Sequence, residues 1–150
     1  MRPAGGGFKG ALLHFVEEGL TKRTIYGSFQ SSEEASLTDK IELVFYKNFS
    51  SNEPVRDWLI DLPLAHRREI GLDLQRVQYR WPIGMPLVRP IGKGLFEVRT
   101  ALPDGTIARV MFCFEGGALF ALHGFIKKTQ ATPASDLEIA RKRQKDVQNG

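Results

Sequence analysis

Residues 95–126 place the tightest constraint on the fold. Three runs that suit a pleated surface, Leu95–Leu102, Thr106–Phe114 and Ala118–Ile126, are separated only by Pro103–Asp104–Gly105 and Glu115–Gly116–Gly117. Connections this short join antiparallel neighbours, because a parallel pair needs a crossover of a dozen residues or more. Pro-Asp-Gly suits a three-residue hairpin, with proline and aspartate in a type I turn and glycine in the left-handed position. The expectation is a three-stranded meander that the rest of the chain must cover.

The loops make the pairing computable. With 103–105 as the first loop, Phe96 faces Phe112, Val98 faces Val110 and Arg99 stands opposite Arg109. With 115–117 as the second, Phe112 meets Phe120, Val110 meets Leu122 and His123 stands opposite Arg109. Phe125 and Lys127 then share the face of His123. One face is apolar, while the other gathers Arg99, Arg109, His123 and Lys127 with Glu97 as the acid available to neutralise them. Like charges directly opposite destabilise a strand pair by up to about 1 kcal/mol. Two readings stay open on pattern alone: the cations hold an anion, or they fan into solvent and pair with Glu97 and helix carboxylates.

Upstream, Ile41–Tyr46 reads as a strand and Ser51–Pro54 as the start of a helix with Val55, Trp58, Leu59 and Leu62 on its apolar stripe. Pro63 ends it. A second helix from Leu64 to Arg80 turns Ile70, Leu74 and Val77 inward. Residues 82–94, rich in proline and glycine, read as a loop too apolar to be a linker. Thr132 and Pro133 read as the N-cap and first position of a last helix. That helix carries the run Arg141–Lys142–Arg143–Gln144–Lys145, ordinarily a solvated face. The order strand, two helices, three strands, helix defines an α+β fold with helices packed on a largely antiparallel sheet.

The domain so defined spans 41–150. Residues 1–40 read as an extension, with Gly5–Gly7 and Ser31–Ser36 flanking Phe8, Leu12, Phe15, Val16 and Leu20 at helical spacing. A chain of 150 residues is one domain's worth of core. No apolar run reaches the roughly 18–20 residues of a bilayer span. No secretory leader is read, and the single cysteine, Cys113, excludes an internal disulfide, so the cytoplasm is the expected compartment. The formal charge is +4, and the extension is balanced, so the excess lies in 41–150 and permits a nucleic-acid partner. Cys113, His14, His66 and His123 share no ligand spacing, so neither a metal nor a cofactor is expected.

The run "GLFEVRTALPDGTIARVMF", followed by "LHGFIKKTQATP", closely resembles the RelE/HigB superfamily of toxins in bacterial toxin–antitoxin pairs. "VFYKNFSSNEPVRDWLIDLP" and "YRWPIGMPLVRPIGKGLFEVR" match its phage-derived, HigB-like branch, so the likeness covers roughly residues 41–147. It implies a small microbial RNase fold and an mRNA interferase that works in the A site of the small ribosomal subunit. It also implies a cognate helix-turn-helix antitoxin and no membrane partner. By that likeness Arg99, Arg109, His123 and Lys127 are catalytic candidates. Lys128, Phe125, Arg141 and Lys142 are candidates for holding substrate or ribosomal RNA; Phe125 serves equally as a stacking platform or as core. Arginine suits the phosphate because its planar fork donates two parallel bonds and stays charged. His123 or a lysine would then move the proton of the substrate's own 2′-OH. A gyrase poison of the ParE type, and a phage-derived accessory protein that catalyses nothing, are the rival readings.

Overall fold

The computed structural model describes residues 40–127 and 132–150. The expectations for residues 1–39 and for Lys128 lie outside the described residues. Eight elements follow in chain order: β1 Glu42–Phe45, α1 Pro54–Asp61, α2 Leu64–Arg80, β2 Val88–Gly92, β3 Leu95–Ala101, β4 Ile107–Glu115, β5 Ala118–Lys127 and α3 Ala134–Asn149. The strands form one sheet in the order β1-β5-β4-β3-β2. β1 lies parallel to β5, and every other pair is antiparallel. The α+β architecture expected from the sequence is the one observed, and it is consistent with a RelE-like fold.

Each face of the sheet is covered by different helices. On one, Val98, Val110, Phe112, Leu119 and Ala121 pack with Leu43 and Phe45 under Val55 and Leu59 of α1 and Ile70, Leu74 and Val77 of α2. Burying an aliphatic or aromatic side chain of this size contributes about 1.5–3 kcal/mol, so this layer supplies most of the driving force. Trp81, just past α2, meets Phe96 and Phe112 edge to face at 4.9 and 5.2 Å, so the apolar loop after α2 closes the end of this core. On the other face, Leu95, Met111, Cys113 and Leu122 lie beneath Leu137, Ala140 and Val147 of α3.

Polar contacts pin α3 in place. Arg143 Nη1 donates to the Leu122 carbonyl at 2.9 Å, and its guanidinium lies over the Tyr46 ring at 5.4 Å. The Tyr46 hydroxyl donates to Asp146 Oδ2 at 2.6 Å. Burial first, and then Asp146, push the Tyr46 phenol above its ordinary range. The neutral phenol is the form the fold favours. Its contribution is therefore whole at neutral pH and is lost only as pH rises through that elevated value.

Three expectations need correction. First, residues 88–92 form a strand and not a loop. Pro90 and Gly92 hid it, but β2 is the sheet's edge, where a proline is tolerated, and its register shifts between those two residues. Second, the β3–β4 register is as expected, with Arg99 opposite Arg109, but the β4–β5 register is not. Glu115 pairs with Ala118 across a two-residue turn in which Gly116 (φ 57°) and Gly117 (φ 83°) are both left-handed. The pairing then slips once more between Met111 and Phe112, which leaves Leu122 as an extra residue. Phe120 and Leu122 consequently join the α3 side, and His123 stands opposite Met111 while Phe125 takes the place opposite Arg109. Third, Thr132 does not cap α3. The helix starts at Ala134 with Pro133 at the cap position, and the Thr132 hydroxyl is engaged elsewhere.

Gly124 points to the α1 side, where a Cβ would stand 2.4 Å from two ring carbons of Trp58. Gly124→Ala is expected to destabilise the fold by about 1–3 kcal/mol, as overpacking does. In urea denaturation, Trp58→Leu combined with Gly124→Ala should cost less than the two single changes added together, because the first removes the obstacle to the second.

Candidate functional site

The register sorts the α3 side of the sheet into rows. Arg89 of β2, Glu97 of β3, Met111 of β4 and His123 of β5 form one row. Arg99, Arg109 and Phe125 form the next, and Ala101, Ile107 and Lys127 the row beyond. The sheet thus brings Arg99, Arg109, His123, Phe125 and Lys127 to one face, as expected, although His123 and Arg109 are not direct partners.

Glu97 sits at the centre of this face and is fully buried. It accepts from Arg89 Nε at 3.2 Å, from Arg109 Nη1 at 3.2 and 3.4 Å, and from the Thr132 hydroxyl at 3.1 Å. Arg89 Nη2 in turn donates to the Thr132 hydroxyl at 3.2 Å. A buried carboxylate is tolerated only when paired and hydrogen-bonded, and here two guanidinium groups and a hydroxyl provide this. Arg109, expected on an open basic face, is instead 1% exposed and locked to Glu97. Its geometry suits holding the face together more than meeting a ligand.

Arg99 differs. It is half-buried, and its Nε is a buried donor with no hydrogen-bond partner among the described residues. Neither Arg99 nor Lys127 forms an ion pair with a described carboxylate, so two cations stand beside the Glu97 centre with charge to offer. His123 Nε2 lies 2.7 Å from Asp136 Oδ1 in the first turn of α3, with side chains 15% and 21% exposed. The imidazole stacks on Phe125 at 5.6 Å between centroids, and Phe125 packs against the second core.

The remaining candidates are scattered. Arg141 Nη1 donates to the Gly92 carbonyl at 2.8 Å and to Gln144 Oε1 at 3.3 Å, which ties α3 to the β2–β3 turn. Lys142 is exposed on α3. His66 is largely covered and lies 4.0 Å from Asp104 in the β3–β4 turn. The sequence gives no sign of a site role for Arg89 or Asp136, and Thr132 reads there only as a helix cap. Arg89 was hidden with β2; had that strand been recognised, pairing would have placed it beside Glu97. Among the described residues, no group of three His, Cys, Asp or Glu side chains could hold a metal ion.

Two measurements test this arrangement. Glu97→Ala leaves the Arg109 guanidinium buried without its carboxylate and should cost about 3–5 kcal/mol, the range for breaking a buried pair, read as a fall in the urea midpoint. Cys113 lies buried, and desolvation first, then Glu115, push its thiol up to about 12. It stays protonated and is no nucleophile. Iodoacetamide at pH 8 should therefore alkylate native protein at least roughly a hundredfold more slowly than protein unfolded in urea.

The family described as "Phage derived protein Gp49-like (DUF891)" matches residues 57–145, from within α1 into α3, and so includes all of the face just described. No curated protein matches the chain. Nor is any helix among the described residues long and apolar enough to cross a membrane. The match covers more than half of the chain, and the chain belongs to this phage-derived Gp49-like family, a RelE/HigB-like toxin family of toxin–antitoxin systems.

Proposed function

We propose that this protein is the toxin of a type II toxin–antitoxin pair of the HigB-like branch, a ribosome-dependent endonuclease that cuts mRNA in the A site of the small subunit. One observation carries the reading. Arg99 and Lys127 present uncompensated positive charge on the same sheet face as an imidazole held by a carboxylate. That combination meets the needs of RNA cleavage by its own 2′-OH. A base takes the hydroxyl proton, and fixed donors stabilise the extra charge on the five-coordinate phosphorus as the 5′ oxygen leaves. His123 is the base. Arg99 holds a phosphate oxygen with its planar fork, and Lys127 adds a mobile point charge. Arg109 serves by keeping β3 and β4 in the register that presents Arg99. Lys128 extends the basic run, and Phe125 and Lys142 offer a stacking surface and a phosphate contact. Bacterial cytoplasm is the compartment this substrate requires, and the natural antagonist is a helix-turn-helix antitoxin.

Primer extension on a translated mRNA after brief induction tests this. Wild type should leave cuts at defined codon positions only while the message is being translated. Arg99→Ala should reduce cutting about 10²–10³-fold, the usual effect of removing one transition-state donor, and leave stability within about 0.5 kcal/mol of wild type. The product should carry a 2′,3′-cyclic phosphate, and a 3′-hydroxyl end would overturn the chemistry. Growth arrest without cuts would instead point to a gyrase poison; neither cuts nor arrest would point to a non-catalytic accessory protein.

A further inference from the structure

We infer that Asp136, in the first turn of α3, is the positioning residue that fixes the tautomer and aim of His123. This rests on the endonuclease reading and deepens it.

The geometry supplies the parts. His123 Nε2 and Asp136 Oδ1 are 2.7 Å apart, the length of a charge-assisted bond, and both side chains are largely covered. A carboxylate accepts only, so Nε2 carries the hydrogen and donates it. The lone pair of the neutral ring is then on Nδ1. That atom makes no hydrogen bond among the described residues, and it is not among the buried atoms left without a partner. Among the described residues it is therefore the unpartnered end of the ring, and it is not fully buried. Rotation of the imidazole is limited on two sides: Phe125 stacks on it at an interplanar angle of 28°, and Met111 stands across from it on β4. Asp136 is itself held by the helix that Thr132, Arg141, Arg143 and Gln144 dock on the sheet through hydrogen bonds to Glu97, Gly92, Leu122 and Lys93.

The step balances without a co-reactant. Nδ1 takes the proton of the 2′-OH while the 2′ oxygen bonds to phosphorus. The bond from phosphorus to the 5′ oxygen breaks, and that oxygen takes a proton from water as the imidazolium returns its own to solvent. Asp136 touches none of the reacting atoms. It keeps Nδ1 unprotonated before the step and faces the imidazolium charge during it.

The test uses the full chain. In Asp136→Asn the side-chain amide can donate to Nε2 and hand the hydrogen to Nδ1, an inversion that cost another His–Asp pair about 10⁴ in rate. We expect kcat for mRNA cutting on programmed ribosomes to fall at least about 10²-fold, with KM changed less than about threefold. Asp136→Glu should recover most of the activity. In the His123→Ala background, Asp136→Asn should cost nothing further, because positioning residues act only through what they position. A second readout needs no catalysis: imidazole ¹⁵N shifts at alkaline pH should show His123 as the Nε2–H tautomer in wild type and gain the Nδ1–H form in Asp136→Asn. Wild-type kcat and an unchanged tautomer in Asp136→Asn would overturn the inference. If wild type itself cuts nothing, it is the endonuclease reading that fails, and the tautomer spectra alone decide whether Asp136 orients the ring.

Discussion

The carboxylate of Glu97 is the interaction on which the arrangement of this molecule turns. It lies in the middle of β3 and gathers β2 through Arg89, β4 through Arg109 and the approach to α3 through Thr132. Apolar alternation and the Pro103–Asp104–Gly105 turn set the β3–β4 register. The ion pair reinforces it. Slipping β4 by one residue would turn Arg109 into the layer of Val98, Val110 and Phe112 and leave Glu97 with Arg89 and Thr132 alone, a change worth several kcal/mol against a few tenths for most surface contacts. A buried carboxylate is costly, and here it helps fix which residues of three strands stand side by side.

The same group divides the arginines. One carboxylate meets two guanidinium groups, so Arg89 and Arg109 are absorbed into the fold and the centre already carries a residual positive charge. Arg99, directly opposite Arg109 on the neighbouring strand, has no share in it. Its charge, with that of Lys127, therefore adds to a field that is already positive, in a setting where covering elements reduce screening by water. An anion is the natural complement of such a surface. The Glu97 centre is also tied by its own hydrogen bonds before any ligand arrives, and charges so held are the ones most effective at a developing negative charge.

How much of this could be read from the chain varies with the local chemistry. The β3–β4 pairing was legible because Pro103–Asp104–Gly105 admits few closures, and the observed turn keeps Gly105 left-handed at φ 88° with its N–H donating to the Leu102 carbonyl. Glu115–Gly116–Gly117 was not, since two adjacent glycines also close a tighter turn. The bulge at Leu122 has no sequence mark at all. Each displaced the pairing by one, so the face of His123, Phe125 and Lys127 was read correctly while their partners were not. Alternation reveals which face a residue occupies but not what lies over it. That is why Arg99 and Arg109 look alike in sequence and differ in burial, and why Asp136, brought in from a helix, could not be anticipated.

The bulge also explains why His123 can meet Asp136. Had the pairing that begins at Glu115 and Ala118 continued without interruption, His123 would have fallen opposite Val110 and pointed into the layer beneath α1 and α2. Leu122 is the extra residue that reverses the alternation, so that Leu122 and His123 both serve the α3 side and Gly124 takes the inward position. There the Trp58 ring leaves room for a hydrogen and nothing larger. A strand that tried to undo the bulge would have to place an imidazole where only glycine fits against a packed indole. The steric limit on one face of β5 thus holds the chemical group in place on the other, and a bulge beside a candidate site is the usual means by which a sheet re-aims a single side chain.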